Sequence, residues 1–139
     1  MDGAGLMDAA TEAKLSATLS ALERRTSDQL VVVTVPNLGG EAIETFGLRL
    51  GNSWGVGQKG LDNGVLLIVA PQDRRVRIEV GRGLEGLLTD ARARQIIEES
   101  LVPRFRQGGF DEGIETGVES ISETLLSDTR RPQPRKGRS

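Results

Sequence analysis

The sequence predicts an α/β domain, a three-layer α/β/α sandwich in which a small mixed β-sheet is flanked by about four helices. Three observations carry that expectation. Residues 29–35 (QLVVVTV) and 65–70 (VLLIVA) are apolar runs too short for buried helices and too continuous for half-exposed strands, so they read as strands covered on both faces. Val76, Ile78 and Val80 alternate with Arg75, Arg77 and Glu79, which is a half-exposed strand. Apolar residues at helical spacing occur before, between and after these strands.

Leu15, Leu19 and Leu22 mark one face of a first helix between Asp8, its expected N-cap, and Arg25. The run 29–35, closed by Pro36-Asn37, reads as a central strand. A second helix follows Gly39-Gly40, buries Ile43, Phe46 and Leu50, and ends near Asn52. The long connection from the first strand to the second implies a right-handed parallel crossover. The short turn Pro71-Gln72-Asp73-Arg74 makes the second and third strands an antiparallel pair. Thr89-Asp90 can cap a third helix facing inward through Ile96, Ile97 and Leu101, bent or ended by Pro103. After Gly108-Gly109, Ile114, Val118, Ile121 and Leu125 define a last helix whose opening acids, Asp111 and Glu112, suit its dipole.

At 139 residues the chain holds one domain, expected over residues 1–127, with a basic Pro/Arg-rich tail or linker at 128–139. The first stretch carries 13 basic and 19 acidic side chains and the tail five basic and one acidic. A net acidic body repels phosphate backbones, so nucleic acid is not an expected partner. No apolar run approaches the roughly 18 residues that suggest a membrane span, and no N-terminal segment resembles a signal peptide. The chain as given is expected to be soluble and monomeric.

There is no His, Cys or Tyr in the sequence. Thiolate nucleophiles, Cys/His zinc sites and Ser-His-Asp triads are therefore excluded. Carboxylates, hydroxyls, amides and fixed cations remain. Folding residues 65–70 against the third strand sets Asp62 opposite the Gly83 region, with Glu85 two residues further on. The parallel first strand brings Ser27 and Asp28 to the same pole, where the glycine-punctuated loop 55–60 also arrives. Residues 81–86 (GRGLEG) resemble a dinucleotide fingerprint only in spacing, since a half-exposed hairpin strand precedes them and the acid, Glu85, sits inside the motif. Their glycines nonetheless leave backbone groups free to approach an ion or phosphate. Arg82 and Lys59 are candidate anion-binding residues beside the start of the third helix. Carboxylates with loop carbonyls form a hard oxygen set suited to Ca²⁺ or Mg²⁺. A cation held there offers the route to phosphate-ester hydrolysis without His or Cys, with a carboxylate as base.

Residues 29–35, the segment Trp54-Gly55-Val56-Gly57-Gln58-Lys59-Gly60-Leu61-Asp62-Asn63-Gly64-Val65-Leu66-Leu67, the segment 75–86 and Leu88-Thr89-Asp90, in this order and spacing, closely resemble the TPM domain. The likeness spans about residues 5–127. It implies an α/β/α domain, secreted or anchored on the outer face of bacterial or thylakoid membranes, with acid-phosphatase activity and calcium binding attributed to some members. By motif match it assigns metal binding to Asp62, Glu85 and Asp90, and catalysis to Asp62 and Glu85. The aromatic often found between the glycines after the third strand is Arg82 here. The expected function is an extracytoplasmic domain that binds a divalent cation and weakly hydrolyses phosphomonoesters. The alternative is a non-catalytic module that assists assembly or repair of membrane protein complexes. Trp54 is expected to be a buried anchor, and Arg74, Arg75 and Arg77 a solvated edge guarding the hairpin.

Overall fold

The computed structural model describes residues 2–54 and 63–127, with the backbone alone for Ser53 and Trp54. The Trp54 side chain and the tail 128–139 therefore lie outside the described residues. Helix α1 spans Ala9–Thr26. Asp8 caps it by accepting the Thr11 N–H at 2.8 Å. Ser27 ends it in the left-handed conformation, φ 67°, and donates its N–H to the Glu23 carbonyl at 2.8 Å. Strands β1 (Gln29–Thr34), β2 (Gly64–Ala70) and β3 (Arg75–Val80) form one sheet in the order β1-β2-β3. β1 pairs parallel with β2, Gln29 beside Gly64 and Thr34 beside Val69. β2 pairs antiparallel with β3, Val65 opposite Val80 and Ala70 opposite Arg75.

The sheet is mixed, as expected, but its centre is β2. β1, read from sequence as a central strand, lies at an edge, where Asp2 makes an isolated bridge to Thr34. Its continuous apolar run reflects cover on both faces by helices, which demands the same composition as strands on both sides. Asp2 is more than a bridge. Its carboxylate accepts the N–H groups of Leu6 and Met7, both at 2.8 Å, and the Thr34 hydroxyl, tying the N-terminus to the sheet.

Alternation along the strands divides the core in two. Leu30, Val32, Val65, Leu67 and Ile78 face a large cluster closed by α1 and the C-terminal helices. Val33, Leu66 and Ile68 face α2 (Ile43–Trp54), which covers the other side through Ile43, Phe46 and Leu50. All seven residues of β2 are buried between these layers. Helix α3 (Asp90–Ile96) continues through a π-helical turn, Ile97–Leu101, into α4 (Val102–Arg106). Pro103 has no N–H to donate to the preceding turn, and the widened turn just before it accommodates that loss without ending the rod. Helix α5 spans Phe110–Leu126, and its Ile114, Val118, Ile121 and Leu125 are all fully buried. Each contributes about 1.5–3 kcal/mol relative to exposure. Gly117 lets this helix approach the rod, since a Cβ there would stand 2.6 Å from Leu101 Cδ2.

Candidate functional site

Parallel pairing brings the N-terminal ends of β1 and β2 to one pole, and antiparallel β3 delivers its C-terminal end there. Three hydrogen bonds lock these ends together. The Gly81 N–H donates to the Gly64 carbonyl at 2.8 Å, and the Gln29 N–H donates to the Asn63 carbonyl at 3.0 Å. The Asn63 side-chain amide donates to the Ser27 carbonyl. Asn63 is 6 % exposed and Asp28 is fully buried beside it in the fold, two polar side chains placed where the apolar sheet meets its loops. The pole is thus a hydrogen-bonded frame of backbone and buried amide.

From Gly81 the chain makes a 3₁₀ turn, Arg82–Leu84. Leu84 and Leu88 are driven into the core, which leaves Arg82, Gly83, Glu85 and Gly86 facing solvent between two anchors. Thr89 caps α3, accepting the Arg92 N–H at 3.1 Å, so Asp90 stands exposed in the first turn of that helix. Glu85 and Asp90 therefore share one exposed segment between β3 and α3. Asp62 and Lys59 lie outside the described residues, but Asp62 precedes Asn63 in the chain. Among the described residues no group of three or more carboxylates is arranged to hold a metal ion. A hard-ion site at this pole accordingly needs Asp62 in addition to Glu85, Asp90 and loop carbonyls.

The strand order puts Asp28 at this pole, but nothing in the sequence reading gives it or Asn63 a role. A carboxylate directly before a doubly covered strand, and an Asn directly before the next, are the signals that mark both. A second acidic pair sits at the opposite pole, joining the starts of α1 and α5. Burial and the neighbouring Asp8 charge hold Asp111 above the ordinary carboxylate range. The Thr11 backbone N–H holds Asp8 below it.

The TPM domain profile matches residues 1–124. The chain belongs to the TPM domain family. This TPM domain is similar to the N-terminal domain of a protein from P. gingivalis, with 38% identity, TM-score 0.85, and coverage of 91% of this chain and 80% of that one. The BA42 protein from the psychrophilic bacterium Bizionia argentinensis shares the fold at 20% identity and TM-score 0.73, over 87% of this chain and 82% of that chain. The N-terminal domain of the cg2496 protein from Corynebacterium glutamicum does so at 16% identity and TM-score 0.70, over 98% and 85%. No curated protein matches the chain. Among the described residues of the TPM domain no helix is long and apolar enough to cross a membrane.

Proposed function

We propose that this TPM domain binds a divalent cation, Ca²⁺ or Mg²⁺, at the pole where β1, β2 and β3 present their loops, and weakly hydrolyses phosphomonoesters there. The observation that supports the reading is the Gly81 to Gly64 hydrogen bond, which holds the start of β2, two residues after Asp62 in the chain, against the end of β3, four residues before Glu85. Asp62 and Glu85 supply carboxylate oxygens, Asp90 adds a third from the start of α3, and the glycines around Glu85 leave carbonyls unobstructed. The cation, once bound, supplies charge to polarise a phosphoryl oxygen and acidify water. The chain contributes a carboxylate base from Asp62 or Glu85 and orients the anion through Arg82 and Lys59. An extracytoplasmic location accords with the Ca²⁺ form of this reading, since free Ca²⁺ is kept scarce in the cytoplasm.

The experiment is hydrolysis of para-nitrophenyl phosphate with and without Ca²⁺ or Mg²⁺, by the unmodified domain, Asp62→Ala and Glu85→Ala. Turnover should require the cation and fall by about 10²-fold or more in either variant, while unfolding midpoints stay unchanged. Turnover that ignores both cation and substitution would end the hydrolytic reading.

A second reading is a non-catalytic interaction module for membrane protein complexes. It is supported by the absence of His, Cys and Tyr, and Leu48, which stands 57% exposed on α2, is the apolar surface position at which to test it. Partner capture that persists in an Asp62→Ala/Glu85→Ala double variant and is lost on Leu48→Lys would favour it.

A further inference from the structure

At the pole opposite Glu85, the β2–β3 turn and the α4–α5 corner enclose a cavity of about 500 Å³. This is a size that suits a small ligand. Its wall is apolar, built from Val69, Val76 and Val102 with Phe105 and Phe110. The two rings lie 5.0 Å apart and tilted by 36°, in contact with each other. Its rim is the reverse in character. Arg74 and Arg75 from the hairpin and Arg106 from the end of α4 line the same opening, and all three are exposed.

Among the described residues none of these guanidinium groups has an ion-pair partner, whereas Arg49 pairs with Glu41 at 2.7 Å and Arg77 with Glu79 at 3.1 Å. Two nearby acids have other contacts. Asp73 accepts the Leu38 N–H at 2.9 Å, and Asp111 sits against Asp8. Three like charges around one opening, from segments about thirty residues apart, give it a positive potential that attracts an anion. Arg74 also holds a left-handed backbone, φ 55°, where glycine or asparagine is the usual occupant. Edge protection explains Arg75 and helix-dipole complementarity explains Arg106. Neither explains why both open onto one aromatic-walled cavity together with Arg74.

We propose that this cavity binds an organic anion with an apolar body, its phosphate or carboxylate held by Arg74, Arg75 and Arg106 and its aryl or acyl group against Phe105 and Phe110. Guanidinium groups match the planar bidentate geometry of such heads, and the rings match the body. The site is independent of the acidic pole.

The test is backbone amide NMR titration of the domain with phenyl phosphate, inorganic phosphate and benzyl alcohol, each alone. Phenyl phosphate should give saturable shifts confined to residues 69–76 and 102–110, with at least about 10-fold tighter binding than either fragment. Arg75→Ala/Arg106→Ala should weaken it by about 10-fold or more, with amide positions elsewhere unchanged because both side chains are exposed; Arg75→Gln alone serves if the double variant misfolds. Displacement of phenyl phosphate by phosphatidylglycerol vesicles would assign the head to a lipid, and no displacement to a soluble anion, with the site standing in either case. Absent shifts, equal binding of benzyl alcohol, or affinity unchanged by the arginine substitutions would overturn the proposal.

Discussion

Replacing Asn63 with aspartate probes the frame of the acidic pole most sharply. The Asn63 side chain is 6 % exposed and donates its amide to the Ser27 carbonyl, while its own main-chain oxygen accepts from Gln29 at 3.0 Å. Asn63→Asp preserves the shape, removes the donor and turns a carboxylate toward a carbonyl in the neighbourhood of the buried Asp28. Losing an ordinary hydrogen bond costs about 0.5–1.5 kcal/mol, and stranding a buried acceptor about 1–3 kcal/mol, more when charge is involved. We expect a loss of about 3 kcal/mol at neutral pH, measured by urea unfolding, against about 1–2 kcal/mol for Asn63→Ala. Burial raises the folded pKa of the introduced carboxyl above its unfolded value. Its deficit is therefore absent below the unfolded carboxylate range and grows as pH rises through the folded pKa. Wild-type stability in Asn63→Asp at neutral pH, or a deficit that does not change with pH, would refute this account of the pole.

Other predictions concern packing, charge and strain. Gly117→Ala forces a Cβ to 2.6 Å from buried Leu101 and should cost about 1–2 kcal/mol after the helix-propensity gain, whereas Gly86→Ala, with nothing within 4 Å, should be neutral in the same urea assay. Asp111→Asn should stabilise the domain above the raised folded pKa of Asp111 and lose that advantage as pH falls below it, because burial and Asp8 disfavour the charged form. Asp8→Ala should do the opposite, destabilising at neutral pH, with the penalty fading as pH falls through the lowered Asp8 pKa. Arg74→Gly should relieve the left-handed backbone and stabilise by about 1 kcal/mol in thermal unfolding while weakening phenyl phosphate binding.

Much of the fold was legible because the doubly covered strands and the helix faces impose composition directly. The hairpin register followed from the turn at Pro71 to Arg74, and Val65 does stand opposite Val80. What sequence could not show depends on neighbours far along the chain. The apolar run of β1 reads the same at an edge as in the centre when helices cover both faces. Asp2 looks like an unremarkable terminal acid until Thr34 and the Leu6 and Met7 amides converge on it. Pro103 reads as a helix breaker, and only the π-helical turn reveals how the rod continues. Arg74 and Arg75 read as a solvated edge, and they are exposed, but only the tertiary placement of α4 sets Arg106 at the same cavity. At the acidic pole, Glu85 and Asp90 are both exposed on the chain that joins β3 to α3, while Asp62 lies outside the described residues.

The central claim is a cation site at that pole, and the measurement that tests it most directly is a Ca²⁺ and Mg²⁺ titration read by backbone amide NMR, with Asp62→Ala alongside. The account predicts saturable shifts centred on Asn63, Gly81 to Gly86 and the start of α3, abolished in Asp62→Ala without loss of the fold. Shifts that are absent at millimolar ion, or that survive the substitution, would contradict it.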